Sequence, residues 1–556
     1  MHLTAFAVIS LFAFSFLTES RSIWNEMKEH SRVSKDTIQA NMEFMQKLKA
    51  QMIETSPRKN KFRKRIIVDE SGEKKPFENS ELFQTDVMLS KSDIEILSDE
   101  LLHDKQHKKS SSSTRSGIIK NQNNRWPTVI PYKFESNATV EDEKNSPVNE
   151  SQVELGLKWW EEHTCLTFVR NDNPSEDTDY LSFIDDVGCW SYIGKQGGRQ
   201  EISLPGYCSP LYVVTHEVAH ALGLHHTQNR PDRDRYVYLN HTNIKSSKAH
   251  NYRLTTFDAV DVEGIPYDYQ SVMHYPSKGF ALDSNYDVII SRDPLYVTSF
   301  GFQEEPSFYD IKLVNKHYCS ESCSHITNKC KNGGYPNPKY CNKCICPSFF
   351  EGEFCQSVKK TDDPNCGQRV IKPTSTPYKL NMTGHANCIW KVKVSSQYYQ
   401  ASFNLVPKGH TIQFWFYKFE FSCSKPCSDH YFGIKYKKDM AYSMALLCCN
   451  NPGTIQTEGN VAIIKYSGTW STRGMELYMR QNRYKYKQHI VKYEMKNDNQ
   501  DSVRNHCFNK LRRTNRTNAN FIMHKHVLLI HFLIRKSLLD IFAESNRLCR
   551  NDADAR

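Results

Sequence analysis

A chain of 556 residues has room for three or four domains at roughly 150 residues each. Hydrophobic residues make up 38% and charged residues 24%, which excludes a wholly disordered chain. The net charge of +11 does not describe the body. From Arg480 to Arg556 there are 17 Lys and Arg against 7 Asp and Glu, so the excess sits in the tail and a nucleic-acid partner is excluded.

In chain order, Leu3 to Leu17 form an apolar run followed by Thr18-Glu19-Ser20. The run is too short to span a bilayer with margin, so residues 1–20 read as a secretory signal rather than a transmembrane segment. The protein is then expected to be secreted and extracellular. Residues 21–115 have no cysteine, are rich in charge, and include the basic stretch Arg58 to Arg65 and the Lys/Ser linker Lys108 to Ser113. They read as a propeptide, with a disordered spacer as the alternative.

Order is expected from Trp126-Pro127 onward. Val153, Leu157 and Trp160 recur at helical spacing, so Val153 to His163 reads as a helix packed by that face. Tyr180 to Ile184 alternates and reads as a strand. The segment around His216 reads as a helix, and the unit, mixed α/β, closes near Cys319.

Oxidising conditions turn the 18 cysteines into a disulfide framework. Four lie between 165 and 319, six between 323 and 355, six between 366 and 449, and two, Cys507 and Cys549, in the tail. Residues 323–355 are too few to build a core and need staples. From Cys366 to Met479 short β-type runs follow: Ala401 to Leu405, Thr411 to Phe416, Tyr431 to Lys435 and Val461 to Tyr466, a β-sandwich pattern. The 480–556 tail has one apolar cluster, Val527 to Ile534. Sequons begin at Asn137, Asn149, Asn240, Asn381 and Asn515, marking a candidate glycoprotein.

The chemistry is concentrated in His216-Glu217-Val218-Ala219-His220-Ala221-Leu222-Gly223-Leu224-His225-His226. On a helix His216 and His220 share one face and can reach one metal ion. Zn²⁺ suits imidazole, and its catalytic sites keep one position open for water. Glu217 can take a proton from that water, whose pKa zinc lowers towards ~7. His226 reaches the metal only if the chain turns, and Gly223 tolerates the positive φ that ends a helix. His225 reads as solvated, or as bonded behind the ligands.

These eleven residues resemble the metzincin signature, and Gln228 to Asp234 looks like the astacin family. Ser271-Val272-Met273-His274-Tyr275 is similar to that family's Met-turn. The resemblance runs over residues 116–320, from the Gly188-Cys189 region to Ser307-Phe308-Tyr309-Asp310 and Tyr318-Cys319. It implies an α+β zinc metallopeptidase fold with one zinc ion held by His216, His220 and His226. It implies Met273 as a hydrophobic floor, and Tyr275 as a further ligand that swings away to stabilise the oxyanion. It also implies the disulfides Cys165–Cys319 and Cys189–Cys208.

Phe83-Gln84-Thr85-Asp86 is similar to the family's inhibitory F-x-G-D segment, with Thr85 where Gly is usual. Asp86 is then the carboxylate that blocks the zinc in the zymogen. The family's Glu after the third histidine, which meets the buried mature N-terminus, is Thr227 here. Thr227 supplies no charge, so the mature N-terminus is expected to be unburied or held differently, with trimming after Arg115 tolerated.

Residues 321–356 resemble an EGF-like module, which implies Cys323–Cys341, Cys330–Cys344 and Cys346–Cys355. The Cys341-x-x-Cys344-x-Cys346 cluster lacks the partner pair of a zinc site. Residues 366–479 look like a CUB domain with Cys366–Cys388, while the pairing of Cys423, Cys427, Cys448 and Cys449 stays open. Both modules imply contact with matrix or protein ligands. The function expected is a secreted zinc endopeptidase of extracellular proteins, made as a zymogen. The alternative is an inert matrix-binding protein that uses its EGF-like and CUB modules.

Overall fold

A computed structural model describes residues 33–55, 82–103, 117–135, 147–255, 260–261, 264–301, 304–394, 398–401, 404–407 and 410–483. The chain divides into Met1–Tyr484 and Lys485–Arg556, and only the first unit holds described residues. The signal 1–20, the basic stretch 58–65, the 108–113 linker, Arg115, the tail beyond 483 with Cys507 and Cys549, and the sequons at Asn137 and Asn515 all lie outside them. No helix among the described residues is long and apolar enough to cross a membrane.

The catalytic half is built on a five-stranded sheet. Strand β1, Ile118–Ile119, precedes it and pairs with Val260–Asp261. Then come β2 (Val129–Phe134), β3 (Thr167–Arg170), β4 (Tyr180–Ile184), β5 (Trp190–Ser191) and β6 (Arg199–Ser203), in the order β3-β2-β4-β6-β5. All neighbours are parallel except β5, antiparallel on the edge. Strand β4 spans the residues the sequence suggests, but it does not alternate: all five are buried. It lies between β2 and β6, where both faces of a largely parallel sheet are covered.

The helix Glu150–His163 buries Val153, Gly156, Leu157, Trp159 and Trp160, and Asn149 caps its start by accepting from the Gln152 N–H. Gly156 lets it approach the helix Leu211–Ala221, since a Cβ there would fall 2.4 Å from Val214 Cγ1. Every residue from Val213 to Ala221 is buried, as a helix threaded through a core requires. The indoles of Trp160 and Trp126 donate to the carbonyls of Thr215 (3.2 Å) and Ala221 (3.0 Å) and fix its position. The helix Phe308–Tyr318 starts with a Ser307/Asp310 capping box and ends at Cys319, bonded to Cys165.

N-terminal to this, the helices Lys35–Thr55 and Lys91–His103 flank the stretch 82–90. Leu82 and Met88 pack with Ile184, Trp190 and Tyr192, while Phe83, Val87 and Leu89 pack with Phe44, Leu48 and Ile193. The backbone of this stretch adds to the edge strand β5: Ser191 N donates to Asp86 O and Met88 N to Ser191 O, both at 3.0 Å.

All six expected disulfides are formed. The open pairing resolves as Cys423–Cys449 and Cys427–Cys448. The 321–356 segment has no core of its own: Phe350 and Cys355 pack with Ile389, Met440, Met444 and Ile463 of the next domain. That domain is a sandwich of a five-stranded and a four-stranded sheet. Tyr431–Lys435 is a strand as expected, and the runs at Thr411 and Val461 lie in the longer strands His410–Glu420 and Val461–Gly468. Ala401 to Leu405 is not one strand. It takes in the end of Tyr398–Ala401 and the start of Asn404–Pro407, two strands paired antiparallel. The strands Tyr378–Met382, Ala386–Lys393 and Gly474–Arg483 escape the sequence reading, and the last runs past the expected end at 479.

Candidate metal centre

One helical turn separates His216 from His220, and their ring centroids lie 4.7 Å apart. The helix stops at Gly223, whose φ is +99°. A side chain is excluded there twice over: the backbone is left-handed, and a Cβ would lie 2.1 Å from Ile119 Cγ2. Strand β1 catches the returning chain, with Ile119 N donating to Gly223 O (3.0 Å) and His225 N to Gly117 O (3.2 Å). His226 then stands 4.8 Å from His220 and 5.3 Å from His216, centroid to centroid.

Each imidazole has its Nδ1 engaged. His216 Nδ1 bonds Val272 O (2.8 Å), His220 Nδ1 bonds Leu224 O (2.8 Å) and His226 Nδ1 bonds Gln84 Oε1 (2.9 Å). An oxygen acceptor demands a proton on Nδ1, which leaves Nε2 as a lone pair on every ring. The Nε2 atoms converge on Asp86: its Oδ2 lies 3.1 Å from His226 and 3.3 Å from His216, and its Oδ1 3.8 Å from His220. The four ligand atoms lie within 4.8 Å of one another, and all four residues are buried.

Burial raises the Asp86 carboxyl, but the surrounding imidazoles, His226 foremost, outweigh it and hold the group below the usual carboxylate range. Burial pushes His220 and His226 down towards the neutral, ligating form. His220 Nε2 and Asp86 Oδ1 are buried without a hydrogen-bond partner, a costly arrangement that a cation between them removes. Three imidazole nitrogens and one carboxylate oxygen are a donor set for zinc.

Glu217 is fully buried, with neither carboxylate oxygen hydrogen-bonded. Burial, then the Asp86 charge, raises it well above the usual value. Tyr275 places its ring 4.8 Å from that of His226 and donates its hydroxyl to Gln84 O. Met273 is buried in the same core as Val218, Ala219 and Leu222, and its carbonyl accepts from Thr227 N (2.9 Å). His225 is half-buried and does not join the cluster.

Thr227 donates to Ser271 Oγ (2.9 Å), which donates to Asp310 Oδ1 (2.6 Å). Asp310 also accepts from Val272 N and Ser307 N, each at 2.9 Å. A capping aspartate therefore ties the last helix to the Met-turn. Asp310 as an anchor and Gln84 as the partner of His226 were missed as site residues. The Ser307-x-x-Asp310 pattern could have flagged the first. Gln84 belongs to no motif chemistry.

A helix with two histidines one turn apart, a glycine break and a third histidine define a zinc peptidase fold of metzincin type. Residues 118–319 match the family model described as Astacin, a peptidase family. The chain is 30% identical over 473 residues to the zinc metalloproteinase nas-36 of Caenorhabditis elegans, covering 81% of this chain and 72% of that one. It is 31% identical over 394 residues to nas-36 of Haemonchus contortus, covering 69% of this chain and 61% of the relative. A solved structure, the hatching enzyme zinc-protease High choriolytic enzyme 1 of Oryzias latipes, is similar at 31% identity and a TM-score of 0.30, over 38% of this chain and 98% of that one. The chain belongs to the astacin family of zinc metallopeptidases, which use one catalytic zinc ion.

Proposed function

We propose that the protein is a secreted zinc endopeptidase of extracellular or matrix proteins, and that the structure is its latent form. The observation that carries this reading is the Asp86 carboxylate lying against the Nε2 atoms of three histidines whose Nδ1 atoms are all engaged. His216, His220 and His226 would hold the metal, with Asp86 in the position that water takes in the active form. Eight disulfides among the described residues and the apolar N-terminal run support secretion. The EGF-like segment 321–356 and the CUB-type sandwich 366–479 are proposed as contacts for substrate or matrix.

Bound zinc supplies Lewis acidity towards the scissile carbonyl and lowers the pKa of water. Glu217, beside the first ligand, is the group that takes the water proton on its carboxylate and passes it to the leaving amine. Burial and the Asp86 charge both raise its carboxyl, and departure of Asp86 removes the second of these causes. When Gln84 leaves, the Tyr275 hydroxyl is released to donate to the developing oxyanion. The inert-scaffold reading requires a lost ligand or base, and all are in place.

The test is hydrolysis of a quenched fluorescent peptide by processed protein, with a chelator control. Glu217→Ala should keep its zinc and lose about 10²–10⁴ in rate. Cleavage that persists in that variant or in chelator refutes the proposal.

A further inference from the structure

The sandwich rests on the catalytic half at the segments that carry the Met-turn. Its loop 436–444 is shaped from within by Lys435 at the end of the strand before it, buried, whose Nζ donates to the carbonyls of Met440 (3.0 Å) and Tyr442 (2.7 Å). Ser443 Oγ from this loop donates to Asp268 Oδ1 (2.6 Å), the oxygen that also accepts from Gln270 N (3.0 Å). Gln270 Nε2 donates to Met444 O (2.9 Å). On the other flank, Tyr309 OH donates to Asp439 Oδ2 (3.2 Å), next to the Asp310 that grips Ser271 and Val272.

A row of rings runs from this contact towards the site. Tyr296, whose hydroxyl donates to Ser443 O (2.8 Å), stacks on Tyr269 at 4.6 Å. Tyr269 meets Tyr267 at 5.3 Å, and the Tyr267 hydroxyl bonds His274 Nε2 at 2.8 Å. The Met-turn so held contacts the metal site directly: Val272 O takes the Nδ1 proton of His216, and Met273 O takes the N–H of Thr227, the residue after His226.

We infer that loop 436–444 of the β-sandwich braces the Met-turn, so that Ser443 and Met444 are positioning residues for a metal site in another domain. The inference rests on the peptidase reading above. Carbonyl partners of metal-binding histidines tune ligand orientation and affinity, so loosening the turn acts on His216 itself.

The test uses the full chain, processed, in four variants. Ser443→Ala should lower kcat on a short peptide about fivefold, leave KM within about twofold, and speed zinc loss to a chelator about fivefold. Ser443→Thr should restore both. Gln270→Met, which removes the bond to Met444 O, should reproduce Ser443→Ala and decides the case if Ser443→Ala does not fold. Lys425→Met breaks the Lys425–Asp287 bridge (2.6 Å), elsewhere on the same interface, and should change neither quantity. The inference is overturned if Ser443→Ala and Gln270→Met match wild type in both, or if Lys425→Met falls with them. Wild-type protein that cleaves nothing counts against the peptidase reading, while the zinc-loss arm still decides the brace.

Discussion

Substituting Asp86 by alanine in the unprocessed protein separates the carboxylate proposed to block the metal from the segment that carries it. The carboxylate lies 3.1 Å from His226 and 3.3 Å from His216, where it would ligate the metal those rings hold, and one charge-assisted contact of that kind contributes about 1.5–3 kcal/mol. Its loss shifts the ratio of covered to open cleft by roughly 10–150-fold, at 1.4 kcal/mol per factor of ten. The segment remains anchored by Leu82, Phe83, Val87, Met88 and Leu89, all at or below 5% exposure. Each contributes about 1.5–3 kcal/mol, more in sum than the lost carboxylate. The Asp86→Ala precursor should therefore hydrolyse a fluorogenic peptide at least about tenfold faster than the wild-type precursor, yet well below the processed enzyme. A rate equal to the wild-type precursor refutes the blocking role. A rate equal to the processed enzyme refutes the apolar anchoring.

Thr85 adopts φ +76°, a left-handed conformation that costs a non-glycine residue about 1–2 kcal/mol. Thr85→Gly relieves it, offset by about 0.5–1 kcal/mol of chain entropy, so residual precursor activity should fall by up to about tenfold; a rise counts against this account. Burial, then Asp268, pushes the Asp310 carboxyl up to about 6. The folded state then binds the proton more tightly than the unfolded state, so this group's stabilisation is present below pH ~4 and lost as pH rises to ~6. The stability of wild type relative to Asp310→Asn, followed by thermal melting, should decline across that window. A flat difference sinks the claim.

Local pattern carried the site a long way. His216 and His220 follow from the helical period, and Gly223 from the need to turn the chain, because both are properties of a few consecutive residues. Likeness to the peptidase family supplied the roles for Asp86, Met273 and Tyr275 and two disulfide pairs, and likeness to EGF-like and CUB modules supplied the other four. Thr85 stood out against the family pattern in sequence, but its left-handed φ is visible only in the fold.

What the tertiary structure alone decided lies at long sequence separation. Gln84 meets His226 across 142 residues and Ser443 meets Asp268 across 175, and no periodicity relates residues so far apart. The pairing of Cys423 with Cys449 and Cys427 with Cys448 depends on which strand ends come together in the sandwich. Thr227 shows the division most clearly. Its sequence position announces the absence of a charge. Only the fold shows its hydroxyl joined through Ser271 to Asp310, because a short polar side chain takes its role from the neighbours that packing brings to it.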